Sequence, residues 1–246
     1  MLDSPQKIAR YWTESAQPLA SLLLVAPFLV AYELGLLWWD QRALQNAAEL
    51  WLRRGLGSVG YEQQLFLPIF VCGLLLAAHH YARHPWRIRW SVLPPMLCES
   101  LLCGFVLVAL FQFQSALTTR LHLESVAPVM AIHGGGNRVA LLGYVGTGIY
   151  EELFFRVLII TPLAWLLQRC GETKRMSLTT AAVVSSLLFA LAHFQALNIT
   201  GEDFQWFTFI FRFLAGGLFA SLYVFRGFGI TAGTHVAYDI LIASCP

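Results

Sequence analysis

The sequence predicts an all-α polytopic transmembrane helix bundle of about seven to eight spans. Three observations carry this. Of 246 residues, 57% are hydrophobic and only 12% are charged, about half the charged share of a soluble domain. Mean hydropathy is positive, +0.62. The apolar residues gather in runs of about 20, the length that crosses roughly 30 Å of hydrocarbon, without the alternating pattern of an outer-membrane barrel.

Seven runs qualify as spans: 19–39, 64–82, 93–113, 139–168, 179–195, 206–226 and 229–244. The first is too long for a signal peptide, contains Glu33 and shows no small-x-small cleavage pattern before Trp38, Trp39 and Asp40, so it is read as a retained span. Trp38, Trp39, Trp86, Trp90 and Trp206 stand at run ends as an interfacial belt. Residues 41–54 place Leu44, Ala47, Ala48 and Trp51 on one helical face, with Arg42, Glu49 and Arg53 elsewhere, the pattern of a short helix on the membrane surface. The 139–168 run exceeds one perpendicular span and contains Gly143, Gly146 and Gly148. It is either one tilted helix or a helix broken near the glycines. The run His133-Gly134-Gly135-Gly136 reads as an outside loop. No internal repeat is visible, so residues 1–138 and 139–246 are read as parts of one bundle.

Sixteen Lys and Arg against 14 Asp and Glu give a net charge of +2, which offers nucleic acid no basic surface. The five cysteines are odd in number, form no CxxC and lie mostly in or beside apolar runs; they read as small hydrophobes. With the N-terminus inside, nine Lys and Arg fall on the inside and five outside, so the positive-inside rule places the N-terminus in the cytoplasm, for a bacterial protein at the inner membrane.

Ionisable groups in hydrocarbon are costly, and each is a functional hypothesis. They crowd into the C-terminal half: Glu151, Glu152 and Arg156 in YEELFFR, His193 in FALAHF, and His235 and Asp239 in THVAYD. Glu152 and Arg156 are four residues apart with the acid N-terminal, the favourable order for a helical ion pair. Glu151 is turned about 100° from Glu152, so one carboxylate can be neutralised while the other faces a cavity. His235 and Asp239 share a face, and Phe189 stands four residues before His193. Glu33, Glu99 and Arg212 are single charges in other spans, read as mutual partners or snorkelling groups.

A carboxylate and two histidines inside a membrane suit hydrolysis: a base to hold and deprotonate water, and a donor for the developing oxyanion. Other intramembrane protease patterns are absent, since the sequence has no HExxH, no GxGD pair and no GxSG. Glu151-Glu152-x-x-x-Arg156, Phe189-x-x-x-His193 and His235-x-x-x-Asp239, in this order, resemble the three motifs of the CAAX-processing and bacteriocin-processing (CPBP, Abi-type) intramembrane proteases. The resemblance covers about residues 140–245.

The resemblance implies that Glu151 activates water with the help of His193, that His235 and Asp239 form the oxyanion site, and that Glu152, Arg156 and Phe189 support them. Where the family often has Asn, this chain has Asp239, which donates only if protonated and can otherwise orient His235. No cofactor is implied on the glutamic reading. The alternative is a Zn²⁺ held by Glu151, His193 and His235, with Asp239. The implied partners are a membrane-anchored or membrane-inserted peptide substrate and the lipid bilayer. Two other functions stay open: a proton- or cation-coupled transporter using Glu33, Glu99, Glu151 and Asp239, and a non-catalytic scaffold or immunity protein. Hydrolysis requires Glu151, His193 and His235 to converge around one cavity while Glu152 meets Arg156.

Overall fold

The computed structural model describes residues 5–39, 45–61, 63–87, 89–121, 138–195 and 201–244. The 133–136 loop, the start of the surface helix at 41–44 and Cys245 lie outside the described residues. Those described form helices α1 (Pro5–Ser15), α2 (Pro18–Trp38), α3 (Ala47–Ser58), α4 (Phe66–Tyr81), α5 (Leu93–Arg120), α6 (Arg138–Glu152), α7 (Thr161–Arg169), α8 (Lys174–Leu191), α9 (Trp206–Arg226) and α10 (Phe228–Ser244), with a π-helical stretch, Leu153–Ile160, joining α6 to α7. Among the described residues there is no strand, only one isolated bridge between Phe194 and Glu202. The protein is an integral membrane protein: Pro18–Trp38, Trp90–Arg120 and Trp206–Arg226 are each long and apolar enough to cross a membrane.

The centre is α10, buried on nearly every side from Phe228 to Ile242, as expected of a helix apolar all round. One hydrophobic cluster, including Leu29, Tyr32, Val71, Ile149 and Val236, joins it to α2, α4 and α6. A second, mostly aromatic, joins it to α5, α8 and α9 through Phe111, Phe189, Phe211, Phe219 and Tyr238. His235 sits on α10 between α6 and the aromatic cluster.

The boundaries depart from the hydropathy reading where polar residues serve the helix. α5 runs on to Arg120 because Thr118 and Thr119 return their hydroxyls to the carbonyls of Gln114 and Ser115, at 2.9 Å each, which lets polar residues continue a helix. α8 starts at Lys174, where the Thr173 side chain accepts from the Met176 amide. It ends at Leu191, which corrects the expectation that His193 lies within a helix.

The 139–168 run does not break at its glycines. The helix widens after Glu152, and the wide stretch closes with the Thr161 amide donating to the Arg156 carbonyl. Pro162 follows at once; it offers no N–H and would crowd the Leu158 carbonyl in α geometry. The glycines serve packing. A Cβ on Gly148 would lie 2.5 Å from the Val236 side chain and 2.8 Å from its backbone nitrogen, so Gly148 lets α6 touch α10 one turn before the paired glutamates. Gly148→Leu is expected to force these helices apart and cost about 1–3 kcal/mol, measured as a lower thermal midpoint of the detergent-solubilised protein.

The surface-helix segment is also anchored more deeply than its pattern suggests. Asn46 caps α3 by accepting from the Glu49 amide at 2.8 Å, and Glu49 is fully buried, bonded by Tyr32 and by Arg53. Burial pushes the Glu49 carboxyl above its ordinary range against the opposing pull of Tyr32 and Arg53. Arg53 reaches Glu33 at 3.2 Å, which also accepts from Tyr150 at 2.5 Å. Glu99 is held by Arg226 at 2.5 and 2.6 Å and by Tyr11 at 2.7 Å, and Arg212 by Glu202 at 2.8 Å. Glu33, Glu99 and Arg212 are therefore not one another's partners. Each has its own partner brought from another helix or loop, which single-segment patterning could not specify.

Candidate active site

Glu151 and Glu152 are the last residues of α6, and their side chains diverge as helical geometry requires. Glu152 turns inward, fully buried. One oxygen accepts from Arg156 Nε at 2.8 Å and the other from His235 Nδ1 at 2.9 Å. Arg156, also fully buried, donates through Nη1 to Ser185 Oγ at 2.8 Å, and that hydroxyl donates to the Phe155 carbonyl at 2.7 Å. Its guanidinium lies 5.2 Å from the Phe189 ring centre and 5.9 Å from that of Phe219, where the ring faces favour a cation.

Glu151 turns into the cavity. Its Oε2 is buried with no hydrogen-bond partner among the described residues, 3.8 Å from His193 Nε2 and 4.0 Å from His235 Nε2. His193 stands in the turn after α8, and its Nδ1 lies 2.8 Å from the Phe189 carbonyl, one of the carbonyls a helix C-terminus leaves without an amide partner. A carbonyl only accepts, so Nδ1 donates and the neutral ring presents Nε2 as an acceptor toward Glu151. For His235 the same logic follows from the Glu152 carboxylate, and its Nε2 lies 3.7 Å from Asp239 Oδ2. The Phe189 ring packs edge-on against both imidazoles, with centroids at 5.0 and 5.9 Å.

The structure thus brings Glu151, His193, His235 and Asp239 to one cavity of about 250 Å³, with Glu152, Arg156 and Phe189 beneath. A second cavity of about 210 Å³, reaching Asn46 and Trp51 at the start of α3, also touches Glu151 and His193. Among the described residues, no group of three His, Cys, Asp or Glu side chains is placed to hold a metal ion.

Several residues here had no sequence signal. Phe219 stacks on His235 at 4.6 Å and 19° between ring planes. Glu202 lines both cavities, and its backbone clamps the His193 segment: Glu202 N donates to the His193 carbonyl at 2.9 Å, and Gln195 N donates to the Glu202 carbonyl at 3.1 Å. Gly201 permits that approach, since a Cβ there would lie 2.5 Å from the Phe194 carbonyl carbon. The only available hint was the charge of Arg212 within a span.

A membrane-embedded helical bundle with acid and histidine side chains around an internal cavity defines a class of candidate membrane hydrolases. Residues 138–241 match the family model described as type II CAAX prenyl endopeptidase Rce1-like, so this segment is similar to that family of membrane proteases. No curated protein and no solved structure matches the chain.

Proposed function

We propose that the protein is an intramembrane endopeptidase that hydrolyses a peptide bond of a membrane-anchored or membrane-inserted substrate by a water activated at Glu151 and His193. The observation that carries this reading is the facing of Glu151 Oε2 and His193 Nε2 at 3.8 Å. That separation is too long for a direct hydrogen bond. Two acceptors facing each other call for a donor with two protons, and one water spans the gap.

In this mechanism Glu151 takes a proton as the water oxygen attacks the scissile carbonyl carbon. The carbonyl oxygen becomes the oxyanion. His235 Nε2 donates to it when the ring carries both protons, Nδ1 remaining on Glu152. Asp239 orients that edge of the ring. Collapse of the tetrahedral species breaks the C–N bond, and the proton held by Glu151 passes to the leaving amine, giving a new carboxylate and a new amine. The Glu152–Arg156 pair fixes His235 and does not touch the substrate.

The remaining helices complete about seven to eight spans in a bacterial inner membrane, with the N-terminus cytoplasmic, as the Lys and Arg distribution supports. The family admits prenylated CAAX ends, bacteriocin precursors and sorting tails as substrates. Transport receives less support, because Glu33 and Glu99 are each closed by their own arginine. The test is substrate trapping: Glu151→Ala expressed in the host should co-purify with an uncut membrane protein that is shorter in cells with the unsubstituted chain. Unchanged processing with Glu151→Ala would reject Glu151 as the base.

A further inference from the structure

A groove of about 820 Å³ lies away from the candidate active site, between α8 and α9. Its walls are apolar, including Leu178, Ala182, Val183, Leu214, Val224 and Phe225, and its mouth is formed by Lys174 and Arg175. The groove is shut at one end, where Gly216 lets α9 meet α8: a Cβ there would lie 3.1 Å from Ser186 Cα. One residue on, Gly217 lines the groove and a Cβ on it would meet nothing within 4 Å. The residues of α8 that line the groove run from Ser186 to Lys174. That length is about 18 Å at 1.5 Å per residue, close to the about 15 Å of one hydrocarbon leaflet.

The mouth is cationic. Lys174 and Arg175 are exposed, and the turn they follow contributes Arg169 against the single acid Glu172. Neither Lys174 nor Arg175 forms an ion pair with a described residue, in contrast to Arg53, Arg156, Arg212 and Arg226, which all do. A slot of one-leaflet depth, apolar along its length and doubly cationic at its outer end, complements a molecule with acyl chains and an anionic head.

We infer that the α8–α9 groove binds an anionic glycerophospholipid, its chains between the helices and its phosphate on Lys174 and Arg175. This is a specific lipid site, independent of the proposed catalysis. The occupant is a lipid because the groove walls are mainly apolar, and an anionic one because the cations at the mouth form no ion pair with a described residue.

The test uses the full chain in nanodiscs of equal phosphatidylglycerol and phosphatidylcholine, with retained lipid identified by native mass spectrometry. Retained phosphatidylglycerol should exceed phosphatidylcholine by about tenfold. Lys174→Gln with Arg175→Gln should bring the ratio near one. Gly217→Leu should lower phosphatidylglycerol retention several-fold at an unchanged thermal midpoint, because its side chain enters open space. Equal retention of the two lipids by the unsubstituted chain, or a preference surviving the two-site variant, overturns the inference. So does retention unaffected by Gly217→Leu, since the chains would then lie outside the groove.

Discussion

Glu151→Gln should abolish cleavage and leave the bundle intact. General base catalysis contributes about 10²–10⁴-fold, so cleavage should fall by at least that range. The side chain makes no hydrogen bond that holds the fold: its Oε2 is buried without a partner among the described residues, and the structural pairing at this level belongs to Glu152. Replacing a buried carboxylate with an amide of the same shape also removes a desolvated acid. Thermal midpoint should therefore hold or rise while activity disappears. Rates on a membrane-tethered peptide and melting curves from the same preparation check both halves.

Arg156→Met should do the reverse, costing stability first. Arg156 and Glu152 are both fully buried, at 2.8 Å. Removing one partner of such a pair costs about 3–5 kcal/mol because the other charge stays buried. Ser185 loses its donor as well. Glu152→Gln combined with Arg156→Met should recover much of the loss, giving a coupling energy far from additive. The amide oxygen can still accept from His235 Nδ1 but without the carboxylate's strength, so the double variant should be folded and slow. A double variant as unstable as the single one would show that the two charges do not act as a pair. Melting curves of the single and double variants supply the cycle.

Much of this architecture is visible in local pattern. The seven apolar runs correspond to α2, α4, α5, the α6–α7 unit, α8, α9 and α10. The Glu152–Arg156 pair follows from spacing alone, because both residues share one face of one helix. The divergence of Glu151 from Glu152 follows from the same geometry.

What local pattern could not supply lies in contacts between segments. The Glu152 bond to His235 joins residues 83 positions apart, and nothing in either motif announces the other as partner. The pairs Arg53–Glu33 and Arg226–Glu99 are likewise set by which helices happen to adjoin. The π-helical stretch is hidden because its residues, LFFRVLII, have ordinary helical hydropathy. Its cue is Pro162, whose effect reaches back into the preceding turn. The apolar run 179–195 places His193 in a helix, yet the four-residue spacing from Phe189 also serves an imidazole donating to a freed carbonyl just past the helix end.

The most direct test measures cleavage of a panel of membrane-tethered peptides in proteoliposomes containing a metal chelator, by the unsubstituted chain and by Glu151→Gln. The account predicts cleavage that survives the chelator and vanishes with Glu151→Gln. Cleavage persisting in Glu151→Gln, or lost to the chelator and restored by added metal, would contradict water activation by Glu151 and His193.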